Sequence, residues 1–313
     1  MTTTALLFPG QGSQKIGMYK DLYDSFESVR NTYQEASDTI DVDLFRLIQE
    51  GPEGELNKTE NTQPVLLASS IAAYRAAKES GLAVPALLAG HSLGEWSALV
   101  AAEVISFADA IRLVKLRGKY MQEAVPEGVG AMAAIIGLDD DAVEASCAEA
   151  ASSLSADETV SPVNYNSPGQ LVIAGTKQAV DKAVESLKAK GAKRALLLPV
   201  SAPFHTALMK PAADRLADDM NSVAFNDPTV PIIHNVHAQT ESSGSDIKQI
   251  MVKQIYSPVR WVDCVKAIVA KDVELAYECG PGKVLSGLVK RIDRSLQVHT
   301  FDSEENLRSA LNS

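Results

Sequence analysis

A serine hydroxyl becomes a useful nucleophile only when a base and an oxyanion site are brought to it. One segment of the chain has the pattern for this. Gly90-His91-Ser92-Leu93-Gly94 reads G-x-S-x-G, with the buried-strand run Ala86-Leu87-Leu88-Ala89 before it and a helical run from Leu93 to Glu103 after it. In that context the pattern predicts a nucleophile elbow. Glycines flank the serine because side chains there would strike the neighbouring strand and helix. Ser92 is then presented at a helix N-terminus, where unpaired N–H groups and the helix dipole favour a developing oxyanion. The plainer alternative is a tight strand-to-helix turn with a capping serine.

Five histidines could supply the base: His91, His205, His234, His237 and His299. His91 belongs to the elbow and is expected to point away from the nucleophile. His205 ends the run Val200-Ser201-Ala202-Pro203-Phe204-His205 after a strand, where a loop could aim it into a cleft. It leads the others by a modest margin. His234 and His237 are spaced i, i+3 without a nearby third ligand, so no metal site is expected. Arg117, in Ile111-Arg112-Leu113-Val114-Lys115-Leu116-Arg117-Gly118, would by default lie on a solvated helix face. If buried it needs an anion, and its planar fork suits a carboxylate.

Two glycine-rich segments fail as nucleotide motifs. Gly10-Gln11-Gly12-Ser13 runs on to Lys15, where the dinucleotide fingerprint requires glycine, and Gly280-Pro281-Gly282-Lys283 has Tyr277 where a P-loop begins and Val284 where it ends. The formal net charge of -11 argues against sequence-independent nucleic-acid binding, which needs a basic face. The start, MTTTALLFPG, lacks the basic region and apolar length of a secretory signal. No apolar run approaches the roughly 18 residues that span a bilayer. Cys147, Cys264 and Cys279 are isolated and odd in number, which fits free thiols in a reducing compartment. A cytoplasmic protein is expected.

The elements that must position these residues follow an α/β rhythm. The 313 residues, 46% of them apolar, suffice for one large domain carrying a smaller one. Ala5 to Phe8 reads as a strand, Asn61 to Gly81 as a helix, and Ser106 to Val125 as another, with Ser106 the cap. From Gly130 the rhythm changes. Strands are expected at Gly130–Gly137, Val160–Asn166, Gln170–Gly175 and Lys193–Pro199, with helices at Asp139–Ala151 and Lys177–Lys190. Ser167-Pro168-Gly169 is a turn. The order βαββαβ is the ferredoxin-like unit. The predicted architecture is α/β: a large α/β-hydrolase-like domain with a mostly parallel sheet, residues 1–127 and 199–313, and an inserted ferredoxin-like subdomain, residues 128–198. Strands are also read at Val230–Ile233 and Val273–Tyr277, and Ser242-Ser243-Gly244-Ser245 is read as a loop.

Taken together, several segments resemble the malonyl-CoA:acyl carrier protein transacylase family of bacterial type II fatty acid synthesis. They are Phe8 to Gln14, Thr62-Gln63-Pro64, Gly90 to Glu95, Arg117-Gly118, Asn164 to Gln170, Ala202 to His205, and Gly280 to Leu285. They follow the family order over nearly the whole chain. The resemblance implies an active site in the cleft between the two domains. It makes Ser92 the nucleophile and His205 its general base and acid, with the backbone carbonyl of Gln254 orienting the imidazole. Gln11 and the N–H of Leu93 would form the oxyanion hole, and Arg117 would hold the free malonyl carboxylate. Asn166 would line the cleft near the thioester arm, and Phe204 would narrow the pocket. The implied partners are malonyl-CoA and acyl carrier protein, with no metal or tightly bound cofactor, no nucleic acid and no membrane, and a monomeric enzyme.

Acyl carrier proteins are acidic, so docking calls for a local basic patch on this acidic chain. Lys188, Lys190, Lys193 and Arg194 form one candidate cluster, and Lys283, Lys290, Arg291 and Arg294 another; each is equally well a solvated helix face. Three rival functions remain open on the residues alone. A thioesterase would share the elbow, but no carboxylate between Ser92 and His205 stands at an obvious strand end. A non-catalytic carrier-binding subunit would have lost residues that are all present in this chain. A discrete polyketide acyltransferase would look almost the same.

Overall fold

The computed structural model describes residues 3–200 and 202–312; Met1, Thr2, Ser201 and Ser313, Ser201 in the run leading to His205, lie outside the described residues. Two sheets organise the chain. The first has five strands: β1 (Thr4–Phe8), β2 (Leu87–Gly90), β7 (Ile232–Ile233), β8 (Leu275–Glu278) and β9 (Gln297–Thr300), in the order β7-β2-β1-β8-β9. All four of its pairings are parallel. Leu6, Leu7, Leu88 and Ala89 are fully or almost fully buried, as continuous apolar strands covered on both faces should be.

The second sheet is antiparallel and comprises β3 (Gly130–Ile136), β4 (Val160–Ser167), β5 (Gln170–Thr176) and β6 (Arg194–Leu197), in the order β4-β5-β3-β6. Counted within this segment the order is 2-3-1-4. The two helices between its strands, Asp140–Ser152 and Lys177–Ala189, bury Val143, Cys147, Val180 and Leu187 against Ile135, Leu171 and Ile173. A bridge joins the two parts of the chain: Tyr165 N–H donates to Val259 O (3.0 Å), and Val259 N–H donates to Val163 O (2.8 Å).

Helix boundaries follow the sequence signals closely. Ser106 caps the helix Phe107–Glu123, its hydroxyl accepting from Asp109 N–H at 3.1 Å. The helix Thr59–Glu79 carries Pro64 just past its first turn, where the missing N–H removes the backbone bond that would otherwise reach Glu60 O. Three expectations need correction. Gly244 and Ser245 open the helix Gly244–Gln254 rather than a loop, because Gly244 N–H is held by Asp227 Oδ1 at 2.9 Å. The strand read at Val230–Ile233 shrinks to Ile232–Ile233. Four helices between Lys20 and Leu56 interrupt the simple alternation read for the first half.

The geometry of β1 and β2 decides where the site lies. Their register pairs Phe8 with Gly90, so both strands end side by side and the chain leaves them in neighbouring loops. The elbow helix Leu93–Ala101 then crosses directly over the end of β1. A Cβ on Gly94 would lie 2.0 Å from Phe8 O, and one on Gly90 2.0 Å from Gly94 C. Both contacts are backbone to backbone and cannot relax by side-chain rotation. We therefore expect Gly94→Ala to lower the urea midpoint by the equivalent of at least about 2 kcal/mol. A midpoint equal to that of the wild type would show that the crossing is looser than described.

Candidate active site

Ser92 occupies the N-cap of the elbow helix with φ 51° and ψ −107°, a strained conformation for a residue with a side chain. The turn delivers Oγ to 2.8 Å from His205 Nε2. His205 also has a positive φ, 64°, and only 4% of its surface is exposed. Its Nδ1 lies 2.9 Å from Gln254 O and 3.1 Å from Ser257 O. Carbonyl oxygens only accept, so Nδ1 carries the proton and Nε2 is left to accept from the serine. Main-chain carbonyls thus set the tautomer that a carboxylate sets in Ser-His-Asp enzymes.

Arg117 is buried, on the helix face that also carries Ala110, Val114 and Met121, not on the solvated face that is the default for an arginine. Its Nη1 donates to Gln63 Oε1 (2.9 Å), and its Nη2 to Gln254 Oε1 (3.0 Å) and to Ser92 Oγ (3.3 Å). Nε has no partner among the described residues. Every acceptor it meets is neutral. Burial pulls the guanidinium down to about 10, with Glu95 opposing at longer range, so it stays charged near neutrality. Burial, and then the Arg117 charge, pull the His205 imidazole down to about 3, against the two carbonyls.

The wall around Ser92 belongs to a cavity of about 230 Å³. Gln11, Leu93, Asn166 and Phe204 all line it. The N–H groups of Gln11 and Leu93 donate to no protein acceptor among the described residues. Asn166 Oδ1 meets His91 Nε2 at 2.8 Å, so the elbow histidine turns to the antiparallel sheet rather than to the serine. Gln254 stands behind the wall, fully buried. His234 and His237 do not converge on a common ligand: His234 Nδ1 meets Glu95 Oε1 at 2.6 Å, and His237 Nε2 meets Glu241 Oε1 at 3.1 Å.

Sequence reasoning missed a second layer. Asn235 Oδ1 accepts from Ser92 N–H and its Nδ2 donates to Gly90 O, both at 2.7 Å. Gln254 acts through its side chain as well as its carbonyl, with Nε2 donating to Ser92 O (2.9 Å) and Glu95 Oε2 (2.8 Å). Gln63 anchors Arg117. The only signal for Asn235 was its place just past β7, the strand beside β2. Ligand sites in parallel sheets collect at such strand ends.

The depressed His205 has a consequence for stability. Its folded-state value lies below the ordinary 6.5, so its contribution is fully present above about 6.5 and is lost as the pH falls toward about 3. Urea unfolding of wild type and His205→Gln across that range should show the wild type losing more stability on acidification. Parallel curves would contradict the buried neutral imidazole.

Residues 5–297 match the acyl transferase domain family. The chain is 54% identical over 311 residues to the malonyl CoA-acyl carrier protein transacylase of Escherichia coli K12, covering 99% of each protein. It is 45% identical to that of Bacillus subtilis, covering 99% of this chain and 97% of the relative. A solved malonyl-transacylase in complex with a type II PKS acyl-carrier protein superposes with a TM-score of 0.96 at 52% identity, covering 99% of both chains. The chain therefore belongs to the acyl transferase family, among the malonyl CoA-acyl carrier protein transacylases.

Proposed function

We propose that the protein moves a malonyl group from malonyl-CoA, through an ester on Ser92, to the phosphopantetheine thiol of holo acyl carrier protein, feeding fatty acid biosynthesis. The observation that carries this reading is a buried, charged arginine with only neutral acceptors, 3.3 Å from a serine that is hydrogen-bonded to a histidine. That charge calls for an acyl group carrying a carboxylate, which a non-catalytic carrier-binding subunit would not need.

In this reading His205 Nε2 takes the Ser92 proton as Oγ attacks the malonyl thioester carbonyl. The free N–H groups of Gln11 and Leu93 receive the tetrahedral oxyanion. The C–S bond breaks, and coenzyme A leaves with the proton that His205 returns. The carrier thiol then gives its proton to His205 and attacks the ester, and Ser92 recovers its proton as the C–O bond breaks. The steps close without a metal or a tightly bound cofactor. The malonyl carboxylate, one methylene beyond the reacting carbonyl, falls to Arg117. An acetyl group would leave that buried charge unpaired, a penalty of several kcal/mol. Asn166, held by His91, would face the thioester arm, and Phe204 would narrow the pocket beside His205.

The same reading divides the chain into an α/β-hydrolase-like domain, residues 1–127 and 199–313, and a ferredoxin-like subdomain, residues 128–198. The antiparallel strand order and its two helices support the second assignment. For carrier docking, the cluster of Lys283, Lys290, Arg291 and Arg294 is the better placed. It lies on and beside the helix Val284–Ile292, whose Leu285 and Leu288 line the cavity, and Arg291 bonds Gln170 in the cavity wall. Each cluster has one lysine already paired, Lys283 with Asp302 at 3.7 Å and Lys190 with Glu149 at 2.7 Å, so position beside the cavity decides between them. Among the described residues no helix is long and apolar enough to cross a membrane. The buried free cysteines Cys147, Cys264 and Cys279 support a cytoplasmic location, and the reading makes the enzyme a monomer.

Intact-protein mass spectrometry tests the proposal. Wild type mixed with malonyl-CoA should gain one malonyl group and lose it to holo carrier protein, and Ser92→Ala should gain none. Arg117→Ala should load malonyl slowly and narrow the preference for malonyl over acetyl by roughly 100-fold or more. An adduct that survives in Ser92→Ala, or one lost to water as fast as to the carrier, would refute the transferase mechanism.

A further inference from the structure

The peptide joining Ser92 to Leu93 does two jobs in the proposed chemistry. It carries the nucleophile on one side and an oxyanion donor, the Leu93 N–H, on the other. In a trans peptide the C=O and N–H point in opposite directions, so holding the carbonyl from behind aims the N–H forward. Gln254 Nε2 donates to Ser92 O at 2.9 Å, the shorter of two bonds to that carbonyl, the other coming from the Glu95 backbone N–H at 3.1 Å. The preceding peptide is held as well, with Ser92 N–H donating to Asn235 Oδ1 at 2.7 Å. Both flanks of a strained residue are therefore gripped by side-chain amides.

Both amide residues dock on one group. Glu95, one turn into the elbow helix, is fully buried. Its Oε2 accepts from Gln254 Nε2 (2.8 Å) and from the Asn235 backbone N–H (3.2 Å), and its Oε1 meets His234 Nδ1 (2.6 Å). A side-chain amide can rotate about its last torsion and exchange its oxygen and nitrogen ends. The carboxylate forbids that exchange for Gln254, because only the NH₂ end can face it. The Oε1 end is then left for Arg117, at 3.0 Å.

We infer that Glu95 is a positioning residue for acyl transfer: by orienting the Gln254 amide and seating Asn235, it fixes the Ser92–Leu93 peptide and with it the oxyanion donor. It touches neither substrate nor the reacting atoms. This inference rests on the Ser92 ester mechanism, and an unloaded wild type would count against that mechanism rather than against the role of Glu95.

The test is rapid-quench measurement of Ser92 loading in Glu95→Ala and Glu95→Gln, with malonyl-CoA and acetyl-CoA as donors. Glu95→Ala should lower the loading rate at saturating donor by about 100-fold, the scale of one oxyanion donor, with KM for malonyl-CoA within about threefold of wild type. The slowing should appear with both donors, since the oxyanion forms on a carbonyl that both contain. Glu95→Gln should recover most of the rate. The new amide oxygen takes the Asn235 and Gln254 N–H groups, while its NH₂ faces His234 Nδ1 after a tautomer change that the unpartnered His234 Nε2 permits. If Glu95→Ala does not fold, Glu95→Asp serves: the charge stays but falls one methylene short, and loading should slow at least about tenfold. Wild-type loading in folded Glu95→Ala or in Glu95→Asp would overturn the inference. So would a defect confined to KM, or one seen with malonyl and absent with acetyl.

Discussion

The site is organised around a charge that the fold leaves without a counter-ion. Arg117 is buried among neutral acceptors, with Gln63 and Gln254 each taking one hydrogen bond and Ser92 Oγ a longer one. Burying a cation in this way is unfavourable, and the surrounding structure has to be rigid enough to tolerate it. Glu95 offsets part of the cost from the far side of the Gln254 amide, whose oxygen faces the cation and whose nitrogen faces the anion. A direct Arg–Glu pair would be more stable and would leave nothing for a substrate carboxylate to do. The interposed amide keeps the fork open.

The same amide links recognition to chemistry. Gln254 offers its main-chain carbonyl to His205, its side-chain oxygen to Arg117 and its side-chain nitrogen to Ser92 O. His205, Arg117 and Ser92, the proposed base, carboxylate holder and nucleophile, therefore share one residue at the end of the helix Gly244–Gln254. The base is tuned in consequence. A cation beside a buried imidazole keeps it neutral and receptive, but also weakens it as a base. A carboxylate arriving at Arg117 would cancel that field as it brings the thioester to Ser92.

Much of this was legible in the sequence, and the reasons differ by residue. Ser92 could be read because an elbow needs glycines at fixed positions between a strand and a helix, and local sterics write that pattern into contiguous residues. The βαββαβ segment could be read because turns and periodicity are local too. Arg117 could be read as a helix residue that, if buried, would need a carboxylate, but its burial depends on packing between distant helices and has no local signature. Asn235 left no signal beyond its place after a strand, and the side-chain roles of Gln254 and Glu95 left none. They act across 143, 162 and 159 residues of chain respectively, and amides and buried carboxylates carry no periodic signature.

The central claim is that acyl transfer passes through an enzyme-bound ester, and isotope exchange addresses it without the carrier protein. The enzyme is incubated with unlabelled malonyl-CoA and labelled free coenzyme A, and the label entering malonyl-CoA is followed. An ester intermediate predicts exchange in the absence of any acyl carrier protein, abolished in Ser92→Ala. If label enters malonyl-CoA only when the carrier is present, the transfer is direct and no ester on Ser92 lies on its path.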